Sequence, residues 1–161
     1  MLLALCFIGA ITYAAVQLVN SYRSDIYREE MARGTFYLMA EGYQRYEPGE
    51  RDRWSQVLSK LFSAEIQLQS ANELELGYRE TLHLEDGLVV MRLNDKEGYA
   101  DILFQLPGES EYITTRMTKV SEQQARATAV LVLNHLSHFP EDEWEQALGR
   151  LQQHFGFPLN L

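Results

Sequence analysis

The chain has 161 residues, 23 of them acidic and 14 basic, for a net charge of −9 at neutral pH. That charge argues against nucleic acid and against an anionic lipid surface as partners of its polar part, since both would repel it. A mean hydropathy of −0.27 excludes a polytopic membrane protein, and the single cysteine, Cys6, leaves no internal disulfide, Cys-ligated metal or cysteine nucleophile for the rest of the chain.

The first stretch, Met1 to Val19, is apolar throughout, and no Asp, Glu, Lys or Arg precedes Arg23. About 20 apolar residues in a helix span a bilayer core of ~30 Å. Tyr22 and Arg23 would then stand at the interface. A cleaved signal peptide would want a basic start and a small-x-small cleavage site, and a buried core helix seldom runs this long without a charge. The expectation is a transmembrane helix over residues 1–19, which leaves about 140 residues, enough for one ordinary domain.

From Ser21 to about Tyr46 the spacing of Tyr27, Met31 and Leu38, and of Phe36, Ala40 and Tyr43, predicts a long helix, broken at Glu47-Pro48-Gly49. Trp54, Val57, Leu58, Leu61 and Phe62 then give a second helix a complete apolar face. After this the period changes to two. Ile66 and Leu68 alternate with polar neighbours, and Leu82 and Leu84 alternate with Thr81, His83 and Glu85. Asp86-Gly87 offers a hairpin turn into 88–93, and strands are also expected over 99–106 and 112–117. Two helices followed by about five antiparallel strands make an α+β fold. Helical spacing returns over 122–138, Phe139-Pro140 breaks it, and Trp144, Ala147, Leu148, Leu151 and Phe155 line one face of a last helix. Leu159-Asn160-Leu161 alternates like the start of a strand.

The end of the chain repeats its beginning. Ala32-Arg33-Gly34-Thr35 matches Ala125-Arg126-Ala127-Thr128, and Tyr46 matches Phe139. Trp54, Leu58 and Leu61 match Trp144, Leu148 and Leu151, and Ile66-Gln67-Leu68 matches Leu159-Asn160-Leu161. The separation moves only from 93 to 90 and back to 93, as a duplication with small loop differences requires. The organisation expected is a membrane helix at 1–19, a first unit at 20–118 and a partial second unit at 119–161. In this reading the second pair of helices lacks a sheet of its own, so its apolar faces either pack on the first unit or belong to a longer chain, and the longer chain is the expectation favoured.

Phe36-Tyr37-Leu38-Met39, Tyr46-Glu47-Pro48, Trp54-x-x-x-Leu58-x-x-Leu61 and Ile66-Gln67-Leu68 together resemble the extracytoplasmic sensor region of an RstB-type two-component sensor histidine kinase of proteobacteria. The resemblance implies a PAS-like sensor domain in the periplasm, held by the bacterial inner membrane and its lipid. It also implies a homodimer, with a kinase core that uses ATP and a cognate response regulator reached through that core. The kinase motifs themselves are absent from this sequence. The other reading weighed is a complete single-span periplasmic binding or scaffolding protein without kinase activity.

No catalytic or cofactor motif stands out: there is no glycine-rich phosphate loop, no His-Glu-x-x-His and no nucleophile elbow. The histidines are His83, His135, His138 and His154. His135 and His138, three apart on one helix, have a spacing that suits a metal or an acid response, although hydrogen-bonded helix histidines are the commoner case. Glu141, Asp142, Glu143 and Glu145 could form an acidic patch with Glu41, Glu47 and Glu50, but their ordinary role is to favour the start of a helix. No catalytic, cofactor or metal residue is assigned from the sequence.

Overall fold

A computed structural model describes residues 29–94, 96–117 and 122–159, with only the backbone of residues 122–124. Residues 29–45 are helical (α1), followed by a 3-10 turn at Pro48–Glu50 and by α2, Arg51–Phe62. Strand β1 is Ile66–Ser70, and a short helix, α3, occupies Tyr78–Glu85. Strands β2, β3 and β4 run over Val90–Asn94, Tyr99–Gln105 and Glu111–Met117. Helices α4 (Glu122–Leu136) and α5 (Trp144–Phe155) complete the described chain.

The sheet is antiparallel throughout, in the order β1-β4-β3-β2. Because side chains alternate across a strand, the register puts Ile66, Thr115 and Ile102 in one row and Ile113 and Phe104 in the next, all on one face. That face packs against Phe36, Met39 and Tyr43 of α1 and Trp54, Leu58 and Phe62 of α2 to form the main core. Burying each such side chain stabilises the fold by about 1.5–3 kcal/mol before entropy is counted. On the other face Leu103, Val90 and Tyr112 form a smaller cluster with Leu84 of α3.

Helix α1 is buried nearly all round. Ala32, Thr35, Phe36, Leu38, Met39, Ala40 and Tyr43 are all shielded from solvent, because the sheet and α2 cover one side and the last two helices cover the other. Two glycines make this possible. A Cβ at Gly42 would lie 2.4 Å from the Trp54 ring, and one at Gly34 would lie 2.4 Å from the Phe155 ring. Each glycine thus seats an aromatic ring from one of the flanking helices directly on the α1 backbone.

The expected architecture is corrected in three places. The transmembrane helix at 1–19 lies outside the described residues, and among the described residues no helix is long and apolar enough to cross a membrane; the described fold is an α+β domain without such a span. Second, the sheet has four strands among the described residues, because the segment around Thr81–Glu85 is helical. Alternation over five residues was a weak signal. The Glu80 carboxylate accepts the Gly77 N–H at 2.9 Å and fixes a helix start, and Leu84 is buried while Leu82 faces solvent, as a helix requires and a strand with both leucines on one face does not. Asp86-Gly87 consequently ends a helix, with Gly87 at φ 71°, instead of turning a hairpin.

Third, the apolar faces of the second pair of helices are covered by the first unit. Leu131, Leu151 and Phe155 enter the same core as α1 and the sheet, and Leu136, Ala147 and Leu148 form a satellite cluster between α4 and α5. The two pairs share their local construction. Each has a helix, a proline, a 3-10 turn and a twelve-residue helix. Each ends on a left-handed residue, Ser63 at φ 48° and Gly156 at φ 67°, 93 positions apart. The first copy continues into β1, while Leu159 of the second lies outside any strand and its carbonyl accepts a hydrogen bond from the Gln152 side chain.

Candidate functional site

The two stretches that match in sequence meet along α1 and α4, and residues that match touch. The Thr35 and Thr128 hydroxyls lie 2.8 Å apart and buried. The Thr35 hydroxyl also lies 2.7 Å from the Met31 carbonyl, to which it can donate. Further along, His135 Nδ1 lies 2.7 Å from Glu41 Oε2, and Arg45 Nη1 donates to His138 Nε2 at 3.2 Å. Residue numbers rise together on both helices, so the two run parallel.

Glu41 is the centre of this seam. Its second oxygen accepts from Arg45 Nη2 at 2.6 Å. Burial pushes the carboxyl pKa up, but the hydrogen bond and charge of His135, together with Arg45, outweigh it and hold the group below its ordinary value. Because a carboxylate only accepts, His135 donates through Nδ1 and presents Nε2 on its other side. His138 Nδ1 donates to the Asn134 carbonyl at 2.6 Å.

Helix α5 closes the third side. The His154 ring stacks on Tyr37 with centroids 3.5 Å apart and 10° between planes, and Arg33 Nε donates to the His154 carbonyl at 3.0 Å. Burial, and then the nearby Arg33 charge, push the His154 pKa down; burial, and then Glu41, push that of Tyr37 up. At neutral pH the imidazole is therefore held neutral and the phenol protonated. Between the three helices lies a half-open cavity of about 220 Å³ lined by Tyr37, Glu41, His135, Phe139, Arg150 and His154, with Leu151 at its base.

A second cleft, of about 310 Å³, lies on the outer face of the sheet. Its cations are matched. Arg92 forms two 2.7 Å bonds to Glu80, and Arg116 bonds both oxygens of Asp101, at 2.7 and 3.0 Å. Arg116 also lies 4.0 Å from the centroid of the Tyr99 ring.

Of the residues singled out from the sequence, Glu41, His135 and His154 come together, and His138 stands beside them through Arg45. His83 is exposed on α3. The suggested metal pairing of His135 with His138 is not formed, since the two rings bond to different partners. The acidic patch also disperses. Glu47, Glu50, Glu141, Asp142, Glu143 and Glu145 are exposed, Glu41 is committed to Arg45 and His135, and no cluster able to hold a metal exists among the described residues. Sequence reasoning missed Tyr37 and Arg150 as site residues, because only the packing of three helices distant in sequence brings them together. An imidazole oriented by a carboxylate is half of a catalytic triad, and no hydroxyl or thiol among the described residues is hydrogen-bonded to His135 Nε2. No protein-family model matches the chain, and comparison with curated proteins and with solved structures likewise gives no significant match.

Proposed function

We propose that this chain is a signal-input module, the periplasmic sensor portion of a two-component histidine kinase of the RstB type, working at the bacterial cell envelope. The observation that carries this reading is the parallel α1–α4 pair, in which Thr35 meets Thr128 and Glu41 meets His135. A parallel helix pair joined by buried polar contacts holds one register, because sliding by a turn would strand each polar group unpaired. Such a pair has discrete arrangements, and a ligand with different affinities for them shifts the balance. The motif resemblance from Phe36 to Leu68, and the lack of any thiol beyond Cys6, agree with this role in a compartment that oxidises thiols.

The reading is tested by extending the coding frame beyond Leu161: a phosphoacceptor-histidine segment and an ATP-binding core should follow, and a frame without them would sink it. A second test joins the chain to a kinase core and locks the seam through Thr35→Cys and Thr128→Cys. Oxidation should freeze the phosphorylation level, whereas an unaltered response would show that the seam carries no signal.

A binding or scaffolding module without a kinase is the alternative, and the packing of α4 and α5 onto the core of α1 and the sheet favours it. A monomer that unfolds in one cooperative step would support it; swapped dimers would count against it.

A further inference from the structure

The cavity between α1, α4 and α5 gathers polar groups that the fold leaves unused. Arg150 faces the Phe139 ring with Cζ 5.4 Å from its centroid and makes no hydrogen bond or ion pair among the described residues. The Tyr37 hydroxyl, both ring nitrogens of His154 and Nε2 of His135 likewise have no hydrogen-bond partner among the described residues, although all three residues line this one cavity. These groups are open to water and Arg150 is exposed, so the cavity is a wet one in which a ligand could bond several of them at once in place of solvent.

The charge and size of the space define that ligand. Glu41, the one acid lining the cavity, is already matched by Arg45 and His135, so the Arg150 guanidinium is left in excess within a chain of net charge −9. A volume of about 220 Å³ equals roughly seven waters at ~30 Å³ each, below the ~300–1,000 Å³ of sites for larger ligands. Phe139, Leu151 and the Tyr37 ring supply apolar walls. Phosphate, or a second carboxylate on the ligand, would bring further negative charge against Glu41.

We propose that this cavity binds a small organic monocarboxylate with an apolar body, its carboxylate held by Arg150, Tyr37 and His154 and its body lying against Phe139 and Leu151. The proposal rests on the input-module reading and names the ligand class of that module. Binding draws α5, through Arg150 and His154, onto Tyr37 of α1, and so favours the closed arrangement of the two copies. An anion at this point also opposes the depression of the His154 pKa, so protonation and ligand capture reinforce each other.

The test titrates the full 161-residue chain with sodium benzoate, and with benzamide as its uncharged isostere, following the imidazole proton signals of His154 and His135. Benzoate at up to about 20 mM should shift His154 saturably and raise its pKa; Arg150→Gln should weaken binding about tenfold, Tyr37→Phe about threefold, and benzamide should be inert. No saturable shift, undiminished binding by Arg150→Gln, equal binding of benzamide, or perturbation of Arg92 and Arg116 on the sheet face in place of His154 would each overturn it. The same titration on a kinase joined to the chain separates the two claims. Response to the seam lock without benzoate binding removes only the site, and binding without any phosphorylation response removes only the input-module reading.

Discussion

The two copies of the helical unit offer a comparison inside one molecule. Both consist of a helix, a proline break, a 3-10 turn and a twelve-residue helix closed by a left-handed residue. In the first copy, Trp54 is only 7% exposed, its ring lies on Gly42 and its Nε1 donates to the Met39 carbonyl. In the second, Trp144 is half-buried, and its Nε1 donates to the nearer Phe139 carbonyl. The sheet makes the difference. Where it covers α1 and α2 the tryptophan becomes part of the main core, and where it is absent the tryptophan seals a satellite cluster of Leu136, Ala147 and Leu148. The same local code therefore serves as framework in one place and as an attached layer in the other, and regions that open at low cost are those from which moving parts are drawn.

The largest effects should follow the tryptophans. Trp54→Ala should cost about 3–5 kcal/mol, and Trp144→Ala about 1–2 kcal/mol because less area is lost; chemical denaturation reads both, and equal losses would erase the distinction between framework and layer. Gly34→Ala comes next. Its methyl must displace the Phe155 ring, for about 1–3 kcal/mol, and hydrogen exchange should accelerate in α5 while the β3–β4 core stays protected. A uniform acceleration would mean that both copies open together.

The threonine pair gives a smaller effect that reports on the seam itself. Thr35→Val or Thr128→Val alone breaks the buried hydroxyl contact and should cost about 1–2 kcal/mol. The double variant should cost less than the sum, and strict additivity would show that the contact does not couple the copies.

The seam and the sheet should also differ in acid. His154 has a folded pKa below its ordinary value of about 6.5. Its neutral form therefore supports the fold fully above that pH, and the support is lost as pH falls through the folded value. Glu41, also lowered, acts with the same sign in the carboxylate range below about pH 4.3. Hydrogen exchange in α5 should thus rise as pH drops below 6.5 once intrinsic rates are allowed for, and His154→Gln should flatten that rise. The smallest effect belongs to Glu80, held at about 2 by Arg92 and by the Gly77 N–H. Its contribution is present above about pH 4.3 and vanishes toward pH 2. With both side chains roughly a third exposed, it should reach about 1 kcal/mol at most, read as the change in acid stability of Glu80→Gln.

The helical periodicity of Trp54–Phe62 and of Trp144–Phe155 was legible because each face is buried along one continuous stripe. The match of Ala32–Thr35 with Ala125–Thr128 was visible in the sequence, but nothing in it showed that the two threonines would touch. Residues Tyr78–Glu85 were misread because Thr81, Leu82, His83, Leu84 and Glu85 alternate over too short a span, and the deciding contact, from Gly77 to Glu80, is a helix cap. The cavity could not be read from spacing at all. Tyr37, His135 and Arg150 sit on three helices, and only Glu41 and the histidines had chemistry distinctive enough to be noticed.

The joining of α1 to α4 has a last consequence, one of stoichiometry. Were Thr35 and Thr128 on separate molecules, the population of the contact would follow mass action and fall on dilution. Because one chain supplies both, closure is a first-order event set by the effective concentration of tethered partners. The closed fraction of this seam should be the same in a cell holding ten copies as in one holding ten thousand.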